Sequence, residues 1–195
     1  MTGEEHALDR FVRHRAALFA AFAWGLAEAT LFFIVPDVLL TLMGCRSARS
    51  GAKAAGAAIV GALLGGAILY AAGSRSPENS RALLLRVPAV HPPLIERVRS
   101  QLSERGLVAV LLGPTLGIPY KIYAVEWGAR RGTLPMFLLI SVPARGFRFV
   151  LSVLLAAGVA RLISPWTHRR AWSEAGILAL VWIGFYAFYF ARFGW

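Results

Sequence analysis

Between Ala21 and Gly44 runs AFAWGLAEATLFFIVPDVLLTLMG, apolar enough to be buried in a membrane, yet Glu28 and Asp37 interrupt it nine residues apart. A second apolar segment, Thr133 to Ala160, carries Arg145 and Arg148. A charge at membrane depth costs ~2.5–3.5 kcal/mol on insertion scales, so such side chains face a partner, a cavity or a transport path. Two acids in one half and two cations in the other predict that these segments meet across a polar site. Arg145 and Arg148 lie three apart, hence on one helix face.

The 195 residues are 57% hydrophobic, with a mean hydropathy of +0.60. That is too apolar for an ordinary soluble domain and suits a single polytopic membrane domain. The formal charge is +11, from 21 Lys+Arg against 10 Asp+Glu. Nucleic-acid binding would gather those cations on one soluble face. Here they form short clusters flanking apolar runs, so anionic lipid headgroups are the expected partners and no nucleic acid is. Cys45 is the only cysteine, and no Cys/His spacing suggests a metal, so no cofactor is expected. His6, His14, His91 and His168 lie outside the apolar cores and read as solvated or headgroup-level. The mixed charges before the first apolar run give no clear cleavage signal, and the N-terminus reads as uncleaved.

Residues 1–19 read as an interfacial N-terminal helix that feeds the first apolar segment. Pro36 cannot donate a backbone hydrogen bond and disfavours helix at Val35, which predicts a broken helix near residues 33–37. A re-entrant hairpin, entering and leaving on one side with its tip buried in protein, is the expected arrangement. Residues 54–72 are a clean span of about the ~20 residues a bilayer requires. Within it Ala57, Gly61 and Gly65 are spaced by four, a face that lets another helix approach closely. Residues 74–106 are the long polar region. There Leu94, Ile95, Val98 and Leu102 fall at helical spacing, predicting an amphipathic helix on the membrane surface. Residues 107–128 start apolar and break at Gly113-Pro114, Gly117 and Pro119, a second expected hairpin. Residues 133–160 then span, with helix weakened at Pro143 just before Arg145. Residues 161–195 read as a loop at Pro165, Trp166 and Arg169-Arg170, followed by a span over 175–193 with aromatics near its interface. Paired broken elements in two halves point to a transporter-like inverted repeat. The basic residues divide nine against nine between the two sides of this layout, so the positive-inside rule leaves orientation open.

Three stretches carry a family likeness: AEATLFFIVPDVLL (Ala27 to Leu40), GALLGGAILYAAG (Gly61 to Gly73) and PTLGIPYKIYAVEWGARRGTLPMFLLISVPARGFRFVLSVLLA (Pro114 to Ala156). They resemble the DedA family of SNARE-associated, or VTT-domain, membrane proteins, and its YqaA-like branch in the Ile-Pro-Tyr-Lys and Arg-Gly-x-Arg-Phe elements. The likeness covers roughly residues 20–160. It implies an all-α integral membrane protein with two opposed re-entrant hairpins meeting at mid-membrane, resident in a bacterial inner membrane. It also implies lipid translocation, since family members are thought to flip polyprenyl phosphate or phosphatidylethanolamine-type lipids, or to scramble phospholipids. The family's functional candidates correspond to Glu28, Asp37, Arg145 and Arg148. Two departures are the linker of residues 74–106 and Glu126, which stands where a small or apolar residue is expected.

The expected roles follow from side-chain chemistry. Arg145 and Arg148 would hold a phosphate, which the planar guanidinium grips better than an ammonium. Lys121 is either a third cation of that site or a side chain snorkelling to the interface. Glu28 and Asp37 are either proton carriers or the structural counter-ions of the arginines. Glu126 is expected to pair with Lys121 or Arg130, and Tyr120 and Tyr123 to anchor at the interface. The function so read is flipping or scrambling of a phosphate-bearing lipid, coupled to protons, in a protein with room for a homo-oligomer. A proton-coupled small-ion or solute transporter is the alternative. The apolar segments hold no His nucleophile with supporting Arg or His and no array of aspartates, so a phospholipid-modifying enzyme is not expected.

Overall fold

Helix α1, Arg15–Thr30, starts where the His14 side chain accepts from the Ala16 N–H at 3.1 Å, closing one of the open donors of the first turn. It stops short of Pro36, and α2, Asp37–Arg46, begins with that proline as its cap and Asp37 in its first turn, where the helix dipole favours an acid. The computed structural model describes residues 12, 14–167 and 171–193, and every regular element among them is helical. Residues 1–11, where most of the expected interfacial helix lies, and the Arg169-Arg170 pair fall outside the described residues.

The break between α1 and α2 lies over residues 31–36, where one was expected from Pro36. At its ends the backbone bonds the flanking helices, Leu31 and Phe32 N–H to the Ala27 carbonyl, and between them side chains take up other groups. Trp24 Nε1 donates to the Ile34 carbonyl at 2.9 Å, and the Val35 N–H donates to the Tyr186 hydroxyl at 2.8 Å.

Helix α3, Ala48–Arg75, is capped by Ser47, whose hydroxyl accepts from the Ser50 N–H at 3.2 Å. It lies at the centre, packed against α1, α2, and the later helices. Two faces of small residues make this possible. On one, a Cβ at Gly61 would land on the Phe22 carbonyl, one at Gly65 would meet the Ala29 methyl, and one at Gly25 of α1 would land on the Ala58 carbonyl. On the other, Gly66 lies under the Tyr120 ring and Gly73 against the Val125 carbonyl. Of the expected stripe, Gly61 and Gly65 make the close approach, and Ala57 is only half-buried beside it.

Helices α4, Pro77–Leu84, and α5, Pro92–Arg105, follow. The expected apolar face of α5 exists, but protein covers it: Ile95, Val98 and Leu102 are buried in one core cluster with Val110, Ile122 and Phe137. Leu94 packs partly buried against the same cluster. This corrects the expectation of a helix whose apolar side lies in lipid. Gly106 ends α5 at φ +54°, ψ −134°, backbone that favours glycine.

The second break was also expected. Short α6, Val108–Leu112, passes into a 3₁₀ turn over Gly113–Leu116, Gly117 takes φ +76°, and α7, Tyr120–Ala129, starts after Pro119. Helix α7 ends in a Schellman turn, with the Arg131 N–H on the Gly128 carbonyl at 2.8 Å and the Gly132 N–H on the Trp127 carbonyl at 3.1 Å.

Helix α8, Leu134–Thr167, runs unbroken through Pro143 and Pro165, against the expected weakening at the first and loop at the second. Pro143 is exposed while Phe137, Arg145 and Phe149 are buried, so inward packing on either side holds the helix through the missing N–H. Helix α9, Ala171–Phe193, follows. Among the described residues two helices are long and apolar enough to cross a membrane, Ala48–Arg75 and Leu134–Leu162, and α9 contains a shorter apolar stretch, Ala175–Ala191. Two core clusters result. One gathers α4 to α7 with Ala29 of α1, Ala62 and Leu69 of α3 and Phe137 of α8; the other gathers α1, α2 and the first half of α3 with Phe149 and Val153. Arg145 and Arg148 lie on α8 between these anchors.

Candidate functional site

Each acid of the first broken segment meets one arginine of α8. Arg145 Nη2 lies 2.6 Å from Glu28 Oε2, and Arg148 Nη2 lies 2.6 Å from Asp37 Oδ2. Glu28 sits in the last turns of α1 and Asp37 is the first residue of α2, so the break between them sets their separation along α8. One turn beyond Arg148, the Ser152 hydroxyl donates to Asp37 Oδ1 at 2.6 Å. Glu28, Asp37 and Arg145 are buried, and Arg148 is about a quarter exposed.

Both contacts are end-on. Neither arginine closes its two-nitrogen fork on a carboxylate. Arg145 Nε and Nη1 and Arg148 Nε are buried with no acceptor among the described residues. A buried donor left without a partner costs about 1–3 kcal/mol. The faces of the guanidiniums are occupied. Arg145 lies 4.4 Å over the Tyr120 ring and Arg148 lies 5.3 Å over Phe149, contacts that fix the planes and leave the edges free.

The second broken segment supplies the rest. Tyr120 stacks on Phe137, with centroids 5.4 Å apart, and donates to the Ser141 hydroxyl at 2.9 Å. Lys121 is 2% exposed and donates to the Phe32 carbonyl in the first break at 2.8 Å. It therefore joins the two breaks instead of snorkelling. Tyr123 is buried and donates to Gln101 Oε1 at 2.6 Å. Neither tyrosine is an interface anchor, which corrects that expectation.

A cavity of about 320 Å³ opens onto these groups. Glu28, Asp37, Lys121, Arg145, Arg148 and Ser152 line it. Phe33, Val87, Ile118 and the α9 aromatics Trp182, Phe185, Tyr186, Tyr189 and Phe190 line it too. Helix α9 is held to the first segment by Tyr186 at Val35, by Trp182 Nε1 donating to Thr41 Oγ1 at 3.1 Å, and by Phe33 edge-on to Tyr186 and Phe190. The part of α9 in the site was missed in the sequence, where its aromatics read as interface residues; their run is continuous, and nothing in it marks which ones turn inward. Among the described residues no three His, Cys, Asp or Glu side chains come together as a metal set would require.

A second charged cluster lies apart from the cavity. Glu126, 1% exposed, is gripped by Arg81 through Nε at 2.7 Å and Nη2 at 2.8 Å, with Arg99 Nε at 3.8 Å. The partners expected for it, Lys121 and Arg130, are both engaged elsewhere, Arg130 with the Arg99 carbonyl and Ser103. The bond to Glu126, more than any other contact, holds the Arg81 guanidinium above its ordinary pKa. This cluster binds the polar linker to α7.

No known protein-family model and no solved structure matches the chain. Over 146 residues, 74% of each chain, it is 27% identical to an uncharacterised protein of Haemophilus influenzae.

Proposed function

We propose that this is an integral membrane protein of DedA type, resident in a bacterial inner membrane. Its two broken segments would be opposed re-entrant hairpins. Its cavity would take the headgroup of a phosphate-bearing lipid between leaflets, with protons as the coupling partner. Helices α3 and α8 are long enough for a bilayer of ~30 Å, and apolar side chains such as Val60, Leu64, Ile68, Leu139, Phe147 and Leu154 face outward from them. Helix α1 has 16 residues and α2 has 10. At 1.5 Å per residue these reach only about 24 Å and about 15 Å, too short to cross singly. A pair of such helices around a broken tip fits a segment that enters and leaves on one side.

The observation that carries the reading is that Arg145 and Arg148 line a cavity that five aromatic side chains of α9 line as well. Guanidiniums suit phosphate oxygens, and an aromatic wall suits the apolar part of an amphiphile. The same wall favours a lipid over a small ion. The test is flux of headgroup-labelled phospholipid in reconstituted liposomes. Arg145→Ala and Arg148→Ala should abolish movement, Arg145→Lys should restore it only in part, and Arg97→Ala on the exposed side of α5 should leave it intact. Full movement in the double alanine variant would exclude phosphate capture by this pair.

A further inference from the structure

The charged groups lining the cavity do not balance. Lys121, Arg145 and Arg148 stand against Glu28 and Asp37, which leaves one net positive charge. The ion pairs locate the excess. Arg145 and Arg148 each hold a carboxylate, whereas Lys121 bonds a neutral carbonyl and has no carboxylate at salt-bridge distance among the described residues. The other titratable groups facing the site are the phenols of Tyr120 on α7 and Tyr186 and Tyr189 on α9, neutral near pH 7.

Resting on the phosphate reading given above, we propose that the cavity accepts its amphiphile with a single net negative charge, so that the ligand's own charge decides how many protons enter with it. A phosphodiester headgroup brings one negative charge and neutralises the site as it stands. A phosphate monoester carries about −1.5 to −2 near pH 7. Bound as a dianion it would leave the buried site with one uncompensated negative charge, which such surroundings strongly disfavour. It therefore enters with one proton from water, and the proton and the dianion together add the same single negative charge as the diester. Proton coupling then follows from the substrate, and the same residues would move a diester without protons and a monoester with one.

Titration calorimetry on the detergent-solubilised protein tests this in two buffers of unlike ionisation enthalpy at about pH 7. The probes are hexyl phosphate, methyl hexyl phosphate and inorganic phosphate, each with protein-free micelles as blank. Hexyl phosphate should take up about half a proton or more, the share of it that is dianion at that pH, and its affinity should fall as pH rises. Methyl hexyl phosphate should take up none and show no such slope. In Asp37→Asn the site gains a positive charge, and hexyl phosphate should then bind without proton uptake; the wild-type comparison stands without this variant. Equal proton uptake by the two esters would overturn the inference while leaving the phosphate site intact. Inorganic phosphate binding as tightly as hexyl phosphate would overturn the amphiphile. Binding of none of the three would remove the phosphate reading itself, and the inference with it.

Discussion

Arg81 closes both Nε and Nη2 on the carboxylate of Glu126, forty-five residues further along the chain, and thereby fastens α4 to α7. The same guanidinium reaches Glu78 at 2.7 Å on its exposed side. Arg81→Ala would leave a carboxylate that is 1% exposed without its fork. Breaking a buried pair in this way costs about 3–5 kcal/mol. The expected outcome is a large drop in unfolding midpoint in detergent, with much of it recovered in Arg81→Ala/Glu126→Gln. Equal stability of the single and double variants would show that the pair is not coupled.

The proposed first hairpin makes a topological prediction. Arg15 and Arg46 bound α1 and α2, and a segment that enters and leaves on one side puts both at the same face. Single-cysteine labelling in a Cys45→Ser background should find them equally accessible from one side of oriented vesicles. Labelling from opposite sides would turn the segment into a crossing.

Arg131 occupies the left-handed position of the turn that ends α7, with φ +53°. A side chain there costs roughly 1–2 kcal/mol, partly offset by the entropy glycine loses on folding, about 0.5–1 kcal/mol. Arg131 is exposed, so little packing is at stake. Arg131→Gly should raise stability by about 0.5–1 kcal/mol in thermal unfolding, without effect on lipid movement.

Tyr186 offers its hydroxyl to the Val35 N–H, and Tyr186→Phe removes that oxygen while keeping the ring against Phe33. The stranded N–H should cost about 1–3 kcal/mol. Hydrogen exchange should quicken at residues 31–36 and along α9, and not in α3. Unchanged exchange at both places would mean that aromatic packing alone holds α9.

Much of this could be read before the fold was known, because it rests on local chemistry. Pro36 and the Gly113 to Pro119 cluster break the helices next to them, and the α5 periodicity showed its buried face. The meeting of Glu28 and Asp37 with Arg145 and Arg148 followed from the cost of charge in apolar sequence. What escaped depends on tertiary neighbours. Nothing local tells that Glu28 takes Arg145 while Asp37 takes Arg148, or that Arg81 reaches Glu126. Pro143 was misjudged for the same reason, since the packing of Phe137 and Phe149 around it is not written in the dipeptide.

In the stretch from Leu31 to Pro36 three polar backbone groups are bonded by three side chains from three helices: Trp24 of α1, Lys121 of α7 and Tyr186 of α9. No two of these residues need touch for their effects to be linked. Each holds the same short run of backbone in one conformation, and losing any one lets that run relax away from the other two. Substitutions at the three positions should therefore fail to add, even where the side chains are far apart, and a double-mutant cycle would register the peptide between them as their common partner. The first segment thus takes its shape from a vote of its neighbours, and a change at α7 or α9 reaches Glu28 and Asp37 through six residues of main chain.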